Sequence, residues 1–571
     1  MMSLTSFRKR LALPKTSWQL CLLAIVGGAA SALLIVLFTL SIEAIQNLYI
    51  AKKDNYNSLD EVSRFDLPII GSMIILCFAW LTGYKYLRTG IPLVLHRLKV
   101  ANGVMPFKNT LNQFWGSAVA LASGFSVGRE GPAVHLGAAC SGYIASKLKL
   151  PYNAMRTLCG CGVAAGIAAS FNTPIAAVLF VMEVILREYK IHIFIPIMLS
   201  AIVGSLITRN VFGSVHEFDY FSKITLDYSH YPALIILGLF LGLIAFGFNR
   251  YLVLIIKHAA GYHIVPRLML AAFITGGLGL AIPYAMGTGL SAVEFSLNNQ
   301  FELQLLLGLL IAKILLTIFA LGLGIPGGVI GPILGIGSVA GAAIAIITAY
   351  FLPQATSTSD FVLMGMAGFM AATLNAPLTA LLTVVELSNQ IEIVVPAMIV
   401  ITVSCLISGQ VFKNRSLFNM QADIQGLVYS IPLIEKSLQK IGVLGVINDQ
   451  FTLIELAQDQ CTKQSTEQQI SNLINEKVPY ENQENIVITH VTHDNNTLFH
   501  WADFQEKESS TEILIHRLLP LSSQATLAEA YHALVEQRSG GVYIYHRDPN
   551  KMMGMISFEQ IRLYLVEGKI S

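Results

Sequence analysis

The stretch from Gly124 to Pro132 reads GFSVGREGP, with an arginine and a glutamate side by side between apolar segments. Charged side chains within an apolar region are energetically costly and usually mark an ion or substrate pathway. The glycines let backbone N–H groups approach an ion closely, and Pro132 suits the first turn of a helix because it has no N–H. The stretch therefore predicts an anion-facing loop followed by a helix. The alternative is that Arg129 and Glu130 form an ion pair at the membrane edge.

A second copy of this pattern lies later in the chain at a constant offset. Gly124, Gly128, Gly131, Pro132 and Gly137 are matched by Gly324, Gly328, Gly331, Pro332 and Gly337. Likewise, Asn172, Pro174, Ala177, Leu179, Val181 and Glu183 are matched by Asn375, Pro377, Ala380, Leu382, Val384 and Glu386. We therefore predict two repeats, at roughly residues 70–215 and 270–420, of the kind from which transporters build a site near the bilayer midplane. The positive ends of helices that start there favour an anion as the ligand.

The composition indicates that most of the chain lies in a membrane. Of its 571 residues, 54% are hydrophobic and 13% are charged. Uncharged stretches able to cross about 30 Å of hydrocarbon include residues 17–42, 157–182, 314–359 and 393–412. We expect a cytoplasmic segment over residues 1–16, with a basic flank that favours the cytoplasm, and a multi-pass domain over residues 17–425. The expected location is the cell membrane.

Composition also excludes several classes of protein. The net charge is +2 and no run of Lys and Arg with interleaved aromatics occurs, so a nucleic-acid partner is not expected. Cys159 and Cys161 are the one close cysteine pair and lack the partners of a zinc site, so no metal is expected. The membrane part shows no grouping of nucleophile, base and orienting residue, which argues against an enzyme.

Four motifs, which occur along the chain in the family's order, resemble the CLC family of chloride channels and chloride/proton exchangers. Gly128 to Pro132 reads GREGP, the family signature, and Gly328 to Pro332 reads GVIGP, which is similar to the family's GxFxP region. Thr89 to Pro92 resemble the end of its GSGIP segment, and Arg415 to Asn419 lie where the family has a Tyr-bearing segment. The resemblance implies an all-α polytopic membrane protein of two inverted repeats with tilted, broken helices. It also implies a homodimer of two independent pores and a lipid bilayer as surroundings.

The resemblance also implies roles for individual residues. Glu130 would be the gating glutamate, whose carboxylate competes with the anion for its site. The expected anion-binding residues are Thr89, Gly90, Ile91, Gly128, Arg129, Gly131, Val329, Ile330 and Phe418. Thr89 retains a hydroxyl where the family usually has Ser, but Phe418 replaces a Tyr and cannot donate a hydrogen bond. We therefore expect looser binding at the central site.

Proton coupling depends on one further departure from the family. The exchangers typically carry a proton-transfer glutamate at the position of Val184, which cannot relay a proton. Glu183 is adjacent but points about 100° away on a helix, and its repeat mate Glu386 suggests that both are structural. The alternative is that Glu183 serves as a substitute proton relay.

Lys313 could raise the local potential for anions, or could snorkel or pair with a carboxylate. His135 is expected to be a core or interface residue.

The chain changes character at about Gly426, where polar and charged clusters begin, so residues 426–571 are predicted to form a cytoplasmic domain. From Ala525 onward the order of helix, strand, turn, strand and helix resembles a cystathionine-beta-synthase (CBS) module. A divergent first copy is expected at about Glu467 to Asp503. Such pairs often bind adenine nucleotides, but Gln560 stands where a ribose-binding Asp would be expected, which favours a structural role and no cofactor.

The sequence therefore predicts transport of chloride or a similar small anion, with a preference for passive or weakly coupled conduction. The alternative is a proton-coupled chloride antiporter. Fluoride is less expected because Thr89 does not resemble the Met of the fluoride-exchanging branch, and nitrate remains open.

Overall fold

The structure is a computed structural model that describes residues 4–15, 17–50, 54–84, 90–213, 228–297, 303–351, 358–427, 437–455, 486–491, 497–507 and 510–567. The chain divides into two compact units. The membrane unit comprises Leu20–Ser146 and Arg156–Tyr429, and the soluble unit comprises Met1–Gln19, Lys147–Met155 and Ser430–Ser571. Among the described residues, nine helices are long and apolar enough to cross a bilayer.

After α1 (Leu4–Ala12), the helices up to residue 424 are α2 (Trp18–Gln46), α3 (Glu61–Thr82), α4 (Gly90–Val100), α5 (Phe107–Ala122), α6 (Glu130–Lys147), α7 (Tyr152–Phe171), α8 (Pro174–Phe180), α9 (Ile191–Phe212), α10 (Tyr231–Ala259), α11 (Ile264–Ala281), α12 (Leu290–Leu297), α13 (Leu303–Leu323), α14 (Ile330–Phe351), α15 (Thr358–Leu374), α16 (Pro377–Ser388), α17 (Val394–Cys405) and α18 (Leu417–Ile424). Single π-helical turns continue α8 (Val181–Leu186) and α17 (Leu406–Val411).

The two repeats use the same close helix crossing. A Cβ atom added to Gly137 of α6 would lie 2.2 Å from the Gly162 carbonyl oxygen of α7, and one added to Gly337 of α14 would lie 2.4 Å from the Gly365 oxygen of α15. Small residues at such crossings let helix backbones approach closely within a membrane. The matched glycines therefore fix equivalent helix pairs in the two halves of the membrane unit.

The soluble unit contains two sheets. The first has the order β1 (Thr452–Glu455), β2 (Ile486–Val491), β3 (Thr497–Lys507) and β4 (Ser510–Arg517), with β1 and β2 parallel and the other pairs antiparallel. The second has the order β5 (Leu519–Ser522), β6 (Gly541–Tyr545) and β7 (Met552–Ser557), with β5 and β6 parallel and β6 and β7 antiparallel.

Helix α19 (Leu527–Leu534) connects β5 to β6, and α20 (Phe558–Glu567) follows β7. The predicted order from Ala525 onward is therefore confirmed. In the region expected to hold a first copy, β2 and the first part of β3 are described, whereas residues 467–485 and 492–496 lie outside the described residues.

Gln560 has a structural partner at the start of α20. Its Oε1 accepts from the Ser557 backbone N–H at 3.0 Å, and its own N–H donates to Ser557 Oγ at 3.2 Å. This reciprocal pair satisfies two backbone donors at the helix N-terminus, as in a capping box. The side chain at the expected ribose-binding position thus serves the helix itself.

The N-terminal helix α1 belongs to the core of the soluble unit. Ala12 is buried in the same cluster as Leu438 and Ile441. The amide of Asn153 donates to the carbonyl oxygens of Leu11 and Ala12 at 3.1 Å each, which satisfies acceptors that a helix C-terminus leaves unpaired. Segments distant in sequence are thereby joined in one folded unit.

His546, which follows β6, connects the sheet to α1. Its Nε2 lies 2.7 Å from Nη1 of Arg8, and its Nδ1 lies 2.9 Å from Oγ of Ser523. Because arginine only donates, Nε2 must accept and Nδ1 must carry the proton, so the imidazole is neutral. Burial, followed by the positive charges of Arg8, Arg547 and Lys149, lowers the pKa of His546, in agreement with that state.

Candidate functional site

The two glycine-rich loops meet each other directly. The Gly128 N–H donates to the Gly328 oxygen at 2.7 Å, and the Gly328 N–H donates to the Gly128 oxygen at 2.6 Å. The bridge is antiparallel, as expected for loops from inverted repeats. Helix α6 starts at Glu130 after the first loop and α14 starts at Ile330 after the second. Two helix N-termini, with their N–H groups and positive dipole ends, therefore converge beside this bridge.

The Glu130 carboxyl group fills the space left by the glycines. A Cβ atom added to Gly128 would lie 2.0 Å from its Oε2, and one added to Gly328 would lie 2.5 Å from the same atom. The side chain is 2% exposed, and neither oxygen has a hydrogen-bond partner among the described residues. The backbone N–H groups of Glu130 itself, Gly331 and Ile330 interact with it electrostatically. The carboxyl group thus occupies a position in which an anion would meet the same amides.

Two cavities approach this position. The larger one, which we call the vestibule, measures about 520 Å³ and is lined by Gly131, Gly328 and Val329, together with Gln425 just after α18. The smaller one, which we call the outer cavity, measures about 20 Å³ and is lined by Arg129, Glu130, Thr288 and Gly331 among others. Glu130 lines the outer cavity and its carboxyl group lies against Gly328, which lines the vestibule, so this group lies at the boundary between the two cavities.

Four predicted residues from α4, α18 and the loop before α14 lie together in the vestibule wall, namely Gly90, Ile91, Val329 and Phe418, whereas Ile330 lines neither cavity. Gly90, with φ of 80°, starts α4 and lies with Ile91 in its wall, as does Phe418 near the start of α18. Phe418 is 2% exposed, and its ring packs edge-on against that of Phe180 at 6.4 Å. Thr89 lies outside the described residues. At these predicted positions the described vestibule wall therefore offers backbone groups and an aromatic ring.

Arg129 lies beside Glu130 in the wall of the outer cavity. Its guanidinium stands over the Phe171 ring, 4.7 Å from the centroid, and its charge interacts with the carboxylates of Glu130, Asp54 and Glu43. Since it also lines the outer cavity, Arg129 provides positive potential at the entrance that leads to Glu130.

Asp54 and Thr288 lie beside the site, and nothing in the sequence indicated that either residue belongs there. The Asp54 carboxylate accepts from the Thr288 hydroxyl at 2.7 Å and from its backbone N–H at 3.1 Å. Lys313, which is fully buried, donates to the carbonyl oxygens of Ala285 at 3.0 Å and Gly287 at 2.8 Å, and its charge interacts with Asp54. The hydrogen bonds of Lys313 thus go to backbone carbonyl groups, and Asp54 acts on its charge without a direct ion pair among the described residues. The lone lysine was the one signal in the sequence that polar groups lie buried here.

Val184 lies away from the two cavities. It is 3% exposed within the π-helical turn after α8 and lines neither the vestibule nor the outer cavity among the described residues. A π-helical turn often marks a functional position, but an apolar side chain there cannot carry a proton.

Glu183 and Glu386 each cap the N-terminus of the equivalent helix in the other repeat. Glu183 Oε2 accepts from the Thr379 N–H at 2.8 Å and the Thr379 hydroxyl at 2.6 Å, at the start of α16. Glu386 accepts from the N–H groups of Ile175 at 3.1 Å and Ala176 at 2.8 Å, at the start of α8. Each carboxylate satisfies unpaired donors at the positive end of a helix. This geometry supports the structural interpretation of Glu183.

Replacing Glu183 with alanine is expected to lower the free energy of unfolding by about 1 to 2 kcal/mol, because charge-assisted hydrogen bonds to α16 are lost. Glu386→Ala should have a similar effect through α8. Thermal unfolding of the two purified variants in detergent tests this. If Glu183→Ala retained wild-type stability but changed the ratio of protons to anions moved, the residue would be a relay and the structural role would be wrong.

His135 is fully buried on α6, as expected for a core residue. Its Nε2 lies 3.3 Å from the Thr110 hydroxyl, and its Nδ1 has no partner among the described residues. No group of three or more His, Cys, Asp or Glu side chains able to hold a metal occurs in the described part of the chain.

Comparisons with known proteins agree with this geometry. Residues 70–409 match the family described as voltage gated chloride channel. The chain is 30% identical to a protein of Ralstonia nicotianae that carries the name of a ClcB-like chloride channel, over 66% of this chain and 91% of that one. It is also 30% identical to the H(+)/Cl(-) exchange transporter ClcA of Vibrio cholerae, over 55% of this chain and 68% of that one.

Solved structures show the same fold. A slow cyanobacterial Cl-/H+ antiporter superposes with a TM-score of 0.64 at 21% identity, covering 72% of this chain and 98% of its own. A eukaryotic CLC transporter superposes with a TM-score of 0.58 at 17% identity, covering 95% of this chain and 97% of its own. The predicted fold class, inverted repeats of broken helices followed by a small α/β domain, is confirmed.

Proposed function

Since the chain belongs to the voltage gated chloride channel family, a family of anion transporters and channels, we propose that it moves chloride across the cell membrane with Glu130 as the gate. The observation that carries this proposal is the position of the Glu130 carboxyl group between the glycine loops, at the boundary of two cavities. An anion crossing from one cavity to the other must replace that group.

The proposed gating follows from the similarity between a carboxylate and a chloride ion. Backbone N–H dipoles attract either species, so the two compete for one position. Protonation neutralises the carboxyl group and weakens its hold on the amides, which favours entry of the anion. Gly128, Gly131, Val329 and Ile330 would supply the backbone around the ion, while Arg129 would attract it from the outer cavity. Thr89, Gly90, Ile91 and Phe418 would form the inner side of the pathway.

Passive or weakly coupled conduction is the mode that we favour. Obligatory exchange needs a proton carrier that reaches Glu130 from the vestibule side, and Val184 cannot serve. Glu183 is engaged by α16, which leaves it poorly placed to carry a proton. The Phe418 ring has no hydroxyl donor, so we expect a central anion to bind more weakly than it would beside a tyrosine.

Proton-coupled exchange is the second candidate. It is favoured by the 30% identity to ClcA of Vibrio cholerae, whose name describes an H(+)/Cl(-) exchange transporter. Water in the vestibule could bring protons to Glu130 in place of a dedicated side chain.

We further propose a homodimer whose N- and C-termini are cytoplasmic, with residues 17–425 as the transport domain and residues 426–571 as the CBS-like domain. Exposed apolar side chains on α8, α9, α16 and α17 provide a surface for lipid and for a second copy; they include Ile175, Ile191, Leu378, Val395 and Met398.

Simultaneous recording of chloride efflux and proton movement from liposomes containing purified protein tests the mode of transport. We expect chloride to run down its gradient without driving protons uphill. Uphill proton movement would establish the exchanger, and absence of any chloride flux would contradict the proposed function itself. Valinomycin and a proton ionophore, added separately, provide the controls for electrical coupling.

A further inference from the structure

We propose that Arg267 captures small monovalent anions in the vestibule and thereby determines the apparent affinity of the pathway on that side, an inference that rests on the proposed function. Arg267 lies in the first turn of α11, and its side chain lines the vestibule together with Gly328 and Val329. It belongs to neither glycine loop, and it is not among the residues predicted from the sequence.

The guanidinium is held in a defined place. Its Nε donates to the Leu323 carbonyl oxygen, at the end of α13, at 3.1 Å. A Cβ atom added to Gly324 would lie 3.0 Å from its Nη2, so a larger residue at that position would displace it. The loop from Gly324 to Val329 spans at most about 17 Å when fully extended, which limits the distance from this charge to the predicted anion site.

Most of the guanidinium donors face no protein acceptor. Arginine has five N–H donors in a planar fork, and among the described residues only the Nε of Arg267 donates a hydrogen bond to the protein. The N–H groups on the two Nη atoms are therefore available to a halide, or to a planar oxyanion such as nitrate through paired hydrogen bonds.

Among the described residues that line the vestibule, none is a carboxylate that would oppose the charge of Arg267. Among the described lining residues it is the only Arg, Lys, Asp or Glu; the other polar side chains there are Tyr84, Tyr262, His263, Gln421 and Gln425. A cavity with low-dielectric walls and one sign of charge concentrates counter-ions. The vestibule should therefore accumulate anions and disfavour cations before they reach Val329.

A purely structural role would have a different signature. A cation near the end of α13 stabilises that helix terminus through its dipole and by hydrogen bonding. Loss of this contact would lower stability and the maximal rate of transport. It would not change the chloride concentration for half-maximal transport on one face alone.

The test measures uptake of radioactive chloride into right-side-out and inverted membrane vesicles from cells that produce the full chain. Arg267→Gln should raise the half-saturating chloride concentration about threefold to tenfold at the vestibule face, with the maximal rate and the opposite face within about twofold of wild type. Arg267→Lys should restore the wild-type value because it keeps the charge. Arg250→Gln is the matched control, since Arg250 is exposed on α10 and lines neither cavity.

Wild-type protein provides a second measurement that does not depend on the folding of a variant. Adding sodium gluconate should screen Arg267 and raise the half-saturating concentration at the vestibule face more than at the other. Equal values for Arg267→Gln and wild type, or equal losses of maximal rate in Arg267→Gln and Arg267→Lys, would overturn this inference and leave the proposed function intact. Wild-type vesicles that take up no chloride would overturn both.

Discussion

Chloride efflux from liposomes that contain Glu130→Ala is expected to be independent of pH, whereas wild-type efflux should rise as the pH falls. In the wild type, protonation weakens the hold of the glycine-loop amides on the carboxyl group. Alanine removes the group that fills the space beside Gly128 and Gly328. At pH 7.5 the variant should conduct at least as fast as the wild type does at pH 4.5. The measurement is the initial rate of efflux at a series of pH values.

Two further variants make this result specific to the gate. Glu130→Gln, which resembles the protonated carboxyl group in size and charge, should also lose the pH dependence. Glu392→Ala should behave as wild type, because Glu392 is exposed and lines neither cavity. Wild-type pH dependence in Glu130→Ala would place the titrating group elsewhere and would contradict the assignment of Glu130 as the gate.

Gly341→Val is expected to prevent the membrane unit from reaching its native packing. A Cβ atom at this position would lie 2.1 Å from the Phe361 carbonyl oxygen of α15. Because the obstructing atom belongs to a helix backbone, no side-chain rotation relieves the overlap, and α14 must move away from α15. We expect a loss of at least about 3 kcal/mol in the free energy of unfolding. Since α14 begins at Ile330, its displacement should also disturb the proposed anion site.

Size-exclusion chromatography and thermal unfolding in detergent provide the test. Gly247→Val is the matched control, because a Cβ atom at Gly247 of α10 meets no atom within 4 Å. It should give a monodisperse protein with a nearly unchanged unfolding midpoint. A native elution profile and wild-type unfolding temperature for Gly341→Val would show that the crossing of α14 and α15 is looser than the structure indicates.

Local sequence patterns were sufficient to predict the two repeats of the membrane unit and the order of helices and strands after Ala525. The spacing of Gly124, Gly128 and Gly131, repeated from Gly324, indicated two halves, and the structure pairs Gly128 with Gly328. The order of elements after Ala525 was likewise predictable, because turn residues and apolar runs mark strands and helices within short windows. The charged pair Arg129 and Glu130 indicated the site because charges within apolar sequence are costly.

The partners of the buried polar groups could be identified only from the tertiary structure. Nothing local connects Asp54 with Thr288, Glu183 with Thr379, or Arg267 with the vestibule, since the paired segments are distant in sequence. Periodicity reports which face of a helix is apolar, but not which distant helix end lies against a given carboxylate. The sequence by itself thus determined the repeats and the membrane assignment, and it predicted Glu130 as the gate. The packing of the helices decided the partners of the buried polar groups and placed Arg267 in the vestibule wall, because these contacts depend on the positions of whole helices in space.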